Sequence, residues 1–86
     1  MLTIYGSMLC KDCVECRTQF DANGVSYVFH DFGEELSALK EFLVLRDREE
    51  IFDTVREAGK IGIPCLVCED GSVSLDWEEF LPGKSM

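Results

Sequence analysis

Cys10 and Cys13 stand where a short strand pattern gives way to a helical one, and that junction limits the folds open to this chain. Leu2 and Ile4, with Thr3 and Tyr5 between them, read as a strand ended by Gly6-Ser7. A helix is predicted from about Lys11 to Asn23-Gly24, a pair suited to a helix C-terminus. Along it Cys13, Cys16 and Phe20 fall at i, i+3 and i+7 and so share one face. Val25, Tyr27 and Phe29 then alternate with Ser26, Val28 and His30, which predicts a second strand. The first half is therefore a βαβ unit with parallel strands.

The second half follows a different order. Asp31 with Glu34 has the spacing of a capping box, with Asp in the place usual for Ser or Thr. Leu36, Leu39 and Leu43 form an apolar stripe, with Leu39, Phe42 and Arg46 beside it. The charged run Arg46-Asp47-Arg48-Glu49-Glu50 reads as a solvated junction, and Ile51, Val55 and Ala58 resume helical spacing up to Gly59. This pattern fits two helices or one bent helix equally well. Pro64 opens the apolar run Cys65-Leu66-Val67-Cys68, and Asp70-Gly71 is a two-residue hairpin signal with Val73 and Leu75 on the return strand. Asp76 with Glu79 repeats the capping spacing before a brief last helix from Trp77 to Leu81, stopped by Pro82-Gly83. The expected architecture is a single α/β domain over residues 1–86, a three-layer fold with a central four-stranded mixed sheet flanked by helices.

Charge narrows the function classes. With 17 Asp and Glu against 8 Lys and Arg, the chain carries a formal net charge of −9. Nucleic acid is not an expected partner, since phosphate backbones are held by clustered Lys and Arg. Anionic membranes are disfavoured for the same reason, and no apolar run reaches the length of a membrane span. The N-terminus has neither a basic region nor an apolar stretch of signal length, so a cytoplasmic location is expected. There, five cysteines would stay mostly reduced, and an odd number fits poorly with a framework of structural disulfides.

A thiol at a helix N-terminus meets unpaired backbone N–H groups and the positive end of the helix dipole. Both favour the thiolate, the form that attacks disulfides, and CxxC thiols in such places titrate at about 3.5–7.5. Two intervening residues, Lys11 and Asp12, put Cys13 one turn behind Cys10, within reach of its sulfur. A mixed disulfide on Cys10 can then be resolved inside the same chain. The Ile63-Pro64 pair adds a proline at the head of a strand, as a cis-proline would stand.

In these features the chain resembles the glutaredoxins of the thioredoxin superfamily. The resemblance rests on the strand Leu2 to Tyr5, Cys10-Lys11-Asp12-Cys13, Gly24-Val25-x-Tyr27, Gly62-Ile63-Pro64, and Asp70-Gly71. It implies a thioredoxin-like fold and a thiol–disulfide oxidoreductase, with Cys10 as nucleophile and Cys13 as resolving thiol. Ile63 takes the position whose backbone pairs with bound substrate in that family, next to Pro64. Substrates would be protein or small-molecule disulfides. Electrons would come from glutathione or a thioredoxin-reductase-like partner, and no bound cofactor is expected. Departures are also visible. Lys11-Asp12 replaces the usual Pro-Tyr, Ser7 stands where a lysine is common, and Leu75-Asp76 replaces a Gly-Gly segment that holds glutathione. Lys11 is expected to favour the Cys10 thiolate and Asp12 to oppose it, and Lys60 remains as a cation for a substrate carboxylate.

Cys16 extends the spacing to Cys10-x2-Cys13-x2-Cys16, which admits an alternative, a metal or iron–sulfur carrier using those three thiols. Its place on the Phe20 face instead favours burial as a small hydrophobe. Cys65 and Cys68 fall on opposite faces of a strand and are expected to pack there. His30 is the sole histidine, and Trp77 is expected to pack at the start of the last helix. The paired glutamates at 34–35, 49–50 and 78–79 read as solvated helix starts.

Overall fold

Alternation along the first strand sorts its side chains onto two faces, and each face has its own core. A computed structural model describes residues 1–82; Gly83, the second half of the expected Pro82-Gly83 stop, lies outside them. Strand β1 (Leu2–Gly6) pairs parallel with β2 (Tyr27–Asp31) and antiparallel with β3 (Cys65–Val67), which pairs antiparallel with β4 (Val73–Ser74). The sheet order is β2-β1-β3-β4, so the chain is a mixed α/β fold with a four-stranded mixed sheet.

Ile4 lies opposite Leu66 in the ladder, and both are fully buried against Cys16 and Phe20 of helix α1 (Lys11–Ala22). Trp77 closes this face edge-on against Phe20, with ring centroids 6.1 Å apart. The expected Cys13, Cys16 and Phe20 face of α1 is the buried one. Asn23 caps that helix and Gly24 follows with φ +70, where an L side chain would clash with its own backbone.

On the opposite face, Cys65 and Val67 meet Phe42 of α2 (Leu36–Arg48) and Phe52 of the 3-10 turn Glu50–Phe52. Helix α3 (Asp53–Glu57) follows, so the long helical region is two helices broken by a tight turn. Phe42 stands between Phe32 and Phe52, at centroid separations of 5.2 and 5.7 Å. The Leu36-Leu39-Leu43 stripe is not the buried face. Leu36 is 65% and Leu43 42% exposed, while Ala38 and Phe42 face the sheet. The two readings differ by one rotation step of the helix, and the aromatic ring, with more area to bury, sets the rotation.

Other expectations shift at their boundaries. Val25 and Ser26 precede β2 rather than open it. Asp31 ends β2 and accepts from the Gly33 N–H at 2.9 Å, an Asx turn in place of a helix cap; Glu35 takes the cap position without a side-chain bond to the helix backbone. The hairpin loop holds three residues, because Cys68 and Ser72 close it through Cys68 N–H to Ser72 O at 2.9 Å. Gly71 supplies the left-handed residue at φ +89, and Leu75 lies beyond the short β4. The final element, Trp77–Phe80, is a 3-10 turn whose Asp76 carboxylate accepts from the Glu78 N–H. Among the described residues no helix is long and apolar enough to cross a membrane.

Candidate functional site

The turn between β1 and α1 is built by Ser7. Its carbonyl accepts from the Cys10 N–H at 3.0 Å and its hydroxyl from the Leu9 N–H at 3.1 Å. Cys10 is thereby placed at the N-cap of α1, with extended backbone and its carbonyl accepting from the Val14 N–H at 3.1 Å. It is half-buried and lines a cavity of about 630 Å³. Lys60, Ile63 and Pro64 line the same cavity, so four of the six expected site residues meet there. The Ile63-Pro64 peptide bond is cis, the isomer that the glutaredoxin resemblance implies.

Cys13 lies beneath this surface, fully buried one turn into α1. Its sulfur packs against Gly6, where an added Cβ would come within 2.6 Å of it. Burial pushes the Cys13 thiol up to about 12; the Ser7 backbone opposes the rise, and the neighbouring Cys10 and Cys16 sulfurs add to it. The pair is thus asymmetric, with one sulfur open to the cavity and one held as a thiol behind it. Lys11, the remaining expected site residue, is exposed on the first turn of α1 and does not line the cavity.

The opposite wall is the loop from Gly59 to Ile63. Gly62 has φ +92, and a Cβ there would meet the Phe52 ring at 2.9 Å, so only glycine lets the loop lie this close to the core. Arg46 fixes the same loop. Its Nε donates to the Ile61 carbonyl at 2.8 Å and Nη2 donates to the Lys60 carbonyl. Arg56 in turn donates to the Arg46 carbonyl and to the Asp53 carboxylate. Arg46 is therefore part of the tertiary structure, in correction of its reading as part of a solvated junction. Its spacing from Leu39 and Phe42 separates it from Arg48, which is exposed, but the carbonyls that it reaches are brought near only by the fold.

Leu9 and Ile61, apolar residues at the rim, are not among the residues expected at the site. Leu9, wholly exposed, and Ile61, 59% exposed, flank the cavity, and Leu75 completes its lining. The signal in the sequence is an apolar pair, Met8-Leu9, immediately before Cys10.

Cys16 is fully buried with Ile4, Phe20 and Leu66, and burial pushes its thiol up to about 12. Cys65 is pushed up to about 12 by burial on the other face. His30 stacks on Tyr5 at 5.5 Å and its Nδ1 lies 3.0 Å from Glu35, away from the cavity lining.

These buried thiols make stability depend on pH. Cys13, Cys16 and Cys65 titrate near 9 when unfolded and near 12 when folded, so above pH 9 the unfolded chain releases protons that the folded chain keeps. Their contribution is fully present below pH 9 and is lost as pH rises towards 12. Urea midpoints measured in reducing buffer are expected to fall across that window; a flat or rising midpoint contradicts the burial of the three thiols.

Comparison with known proteins adds one relationship. No family model matches the chain, and no solved structure matches it. An uncharacterized protein of Haemophilus influenzae is 36% identical over 67 residues, which cover 78% of this chain and 78% of that protein. At that identity and coverage, the chain belongs to the same family as the uncharacterized Haemophilus influenzae protein.

Proposed function

We propose that this chain is a glutaredoxin-like thiol–disulfide oxidoreductase of thioredoxin-like fold, working by dithiol exchange through Cys10 and Cys13. The observation that carries the reading is the cavity shared by Cys10 and the cis-Pro64, with Cys13 buried one helical turn behind. The sheet order β2-β1-β3-β4, with only β1 and β2 parallel, supports the fold assignment.

The Cys10 thiolate attacks one sulfur of a substrate disulfide. A Cys10–substrate bond forms, the substrate S–S bond breaks, and the expelled sulfur leaves as a thiolate that takes a proton from water. Cys13 then gives up its proton, attacks the Cys10 sulfur and releases the second substrate thiolate. With Cys10 in a mixed disulfide, its contribution to the high Cys13 proton affinity is gone, which eases that step. Two electrons and two protons pass to the substrate and a Cys10–Cys13 disulfide remains, reopened by glutathione or another thiol reductant.

The N-terminal N–H groups of α1 stabilise negative charge on Cys10 during attack and departure. Ile63 offers backbone groups to an extended substrate, Pro64 shapes the floor, and Lys60 supplies a positive charge at the edge. Reduction of a small aromatic disulfide by the native chain tests the proposal. Cys10→Ser is expected to remove at least about 10³-fold of the rate, since no other exposed thiol lies in the cavity. Full activity in that variant contradicts it.

A further inference from the structure

Resting on the oxidoreductase reading above, we infer that the substrate is a protein disulfide whose flanking segment, apolar and acidic, seats in the groove between α2 and the 59–61 loop. The cavity at Cys10 does not end at that loop. Gly59, Lys60 and Ile61 line both it and a second hollow of about 310 Å³ on the far side. The walls of this second hollow are Phe32, Leu39 and Leu43 on one side and Ile61 on the other. Leu43 and Ile61 are 42% and 59% exposed, so apolar area lies open to water along the path from the redox cysteine to α2. A small disulfide would fill the Cys10 cavity and leave this area wet; a polypeptide crossing the loop covers both.

Charge selects the kind of polypeptide. The chain carries more than two acidic residues for each basic one, yet the charged residues lining the groove are Arg46 and Lys60, both cations. Among the described residues neither is paired with a carboxylate. Arg46 spends two donors on the Lys60 and Ile61 carbonyls, which fixes its position and leaves its charge uncompensated. An acidic partner is repelled by most of this surface and attracted here, so the groove sets both affinity and orientation.

The test separates docking from electron transfer. The full chain carrying Cys10→Ser is titrated with a linear peptide in which an S-methylated cysteine is flanked by alternating leucine and aspartate. A second peptide has lysine in place of aspartate. The acidic peptide is expected to bind about tenfold more tightly, with amide shifts at the 59–61 loop and along Leu39 to Arg46. Leu43→Glu, at an exposed position, should weaken it by a further factor of about ten. Equal affinities, no binding, or shifts confined elsewhere overturn the inference. So does a dimer of the chain that Leu43→Glu dissociates, because the groove then belongs to a second copy. The unsubstituted chain is then given the two peptides as disulfides. Preferential reduction of the acidic one supports the assignment, and reduction without preference overturns it while the oxidoreductase reading stands. Binding without any reduction overturns the oxidoreductase reading and leaves the groove a peptide site.

Discussion

Cys13→Ser is expected to stop the reaction halfway, leaving the protein covalently joined to its substrate through Cys10. The first exchange needs only the half-buried Cys10 sulfur, whereas release needs a second thiol one turn behind it. Among the described residues no other thiol is placed for that role: Cys16 and Cys65 are fully buried in separate core clusters, and the half-buried Cys68 lines a different hollow with Met1 and Phe80. Incubated with a disulfide peptide, the variant should accumulate a single adduct that mass spectrometry places on Cys10, while steady turnover falls by about 10²-fold or more. Serine fills nearly the same space against Gly6, so the fold is kept. Unimpaired turnover, or an adduct on another cysteine, contradicts the division of labour between the two thiols.

Phe42→Ala is expected to cause a large loss of stability. The ring is fully buried, contacts Phe32 and Phe52, and anchors α2 to the sheet. Truncating such a side chain costs about 3–5 kcal/mol, against a total of about 5–15 kcal/mol for a domain of ordinary stability. The melting temperature should drop on the order of 20 °C. Leu36→Ala, six residues away on the same helix, should stay within about 0.5 kcal/mol because that side chain is mostly in water. Thermal unfolding of the pair checks both. Similar losses in the two variants would mean that α2 is rotated from the orientation described above.

The contrast between these two residues shows where the sequence was legible. Strand alternation, the Cys13-Cys16-Phe20 face and the stops at Gly24 and Gly59 follow from rules that act within a few residues, and the structure has them where the sequence puts them. On α2 two stripes were offered, and local spacing alone does not say which turns inward. That choice depends on Phe52 and Cys65, which arrive from elsewhere in the chain. The site shows the same division. Cys10 and Pro64 announce themselves by type and spacing, whereas Ile63 and Lys60 enter through the glutaredoxin resemblance; all four line the cavity. Arg46 does not announce itself, because its function is a pair of bonds to carbonyls 14 and 15 residues away. Asp31 and Asp76 show one residue type serving either a turn or a cap, each accepting from the N–H two residues on.

The central claim is that Cys10 and Cys13 form a reversible redox pair. Equilibrating the native chain across thiol–disulfide buffers and mapping each cysteine by mass spectrometry tests it most directly. The account predicts a Cys10–Cys13 disulfide that appears and disappears with the buffer potential, while Cys16 and Cys65 remain thiols. Cysteines that never pair across the whole range, with stoichiometric metal held by Cys10, Cys13 and Cys16, would contradict it.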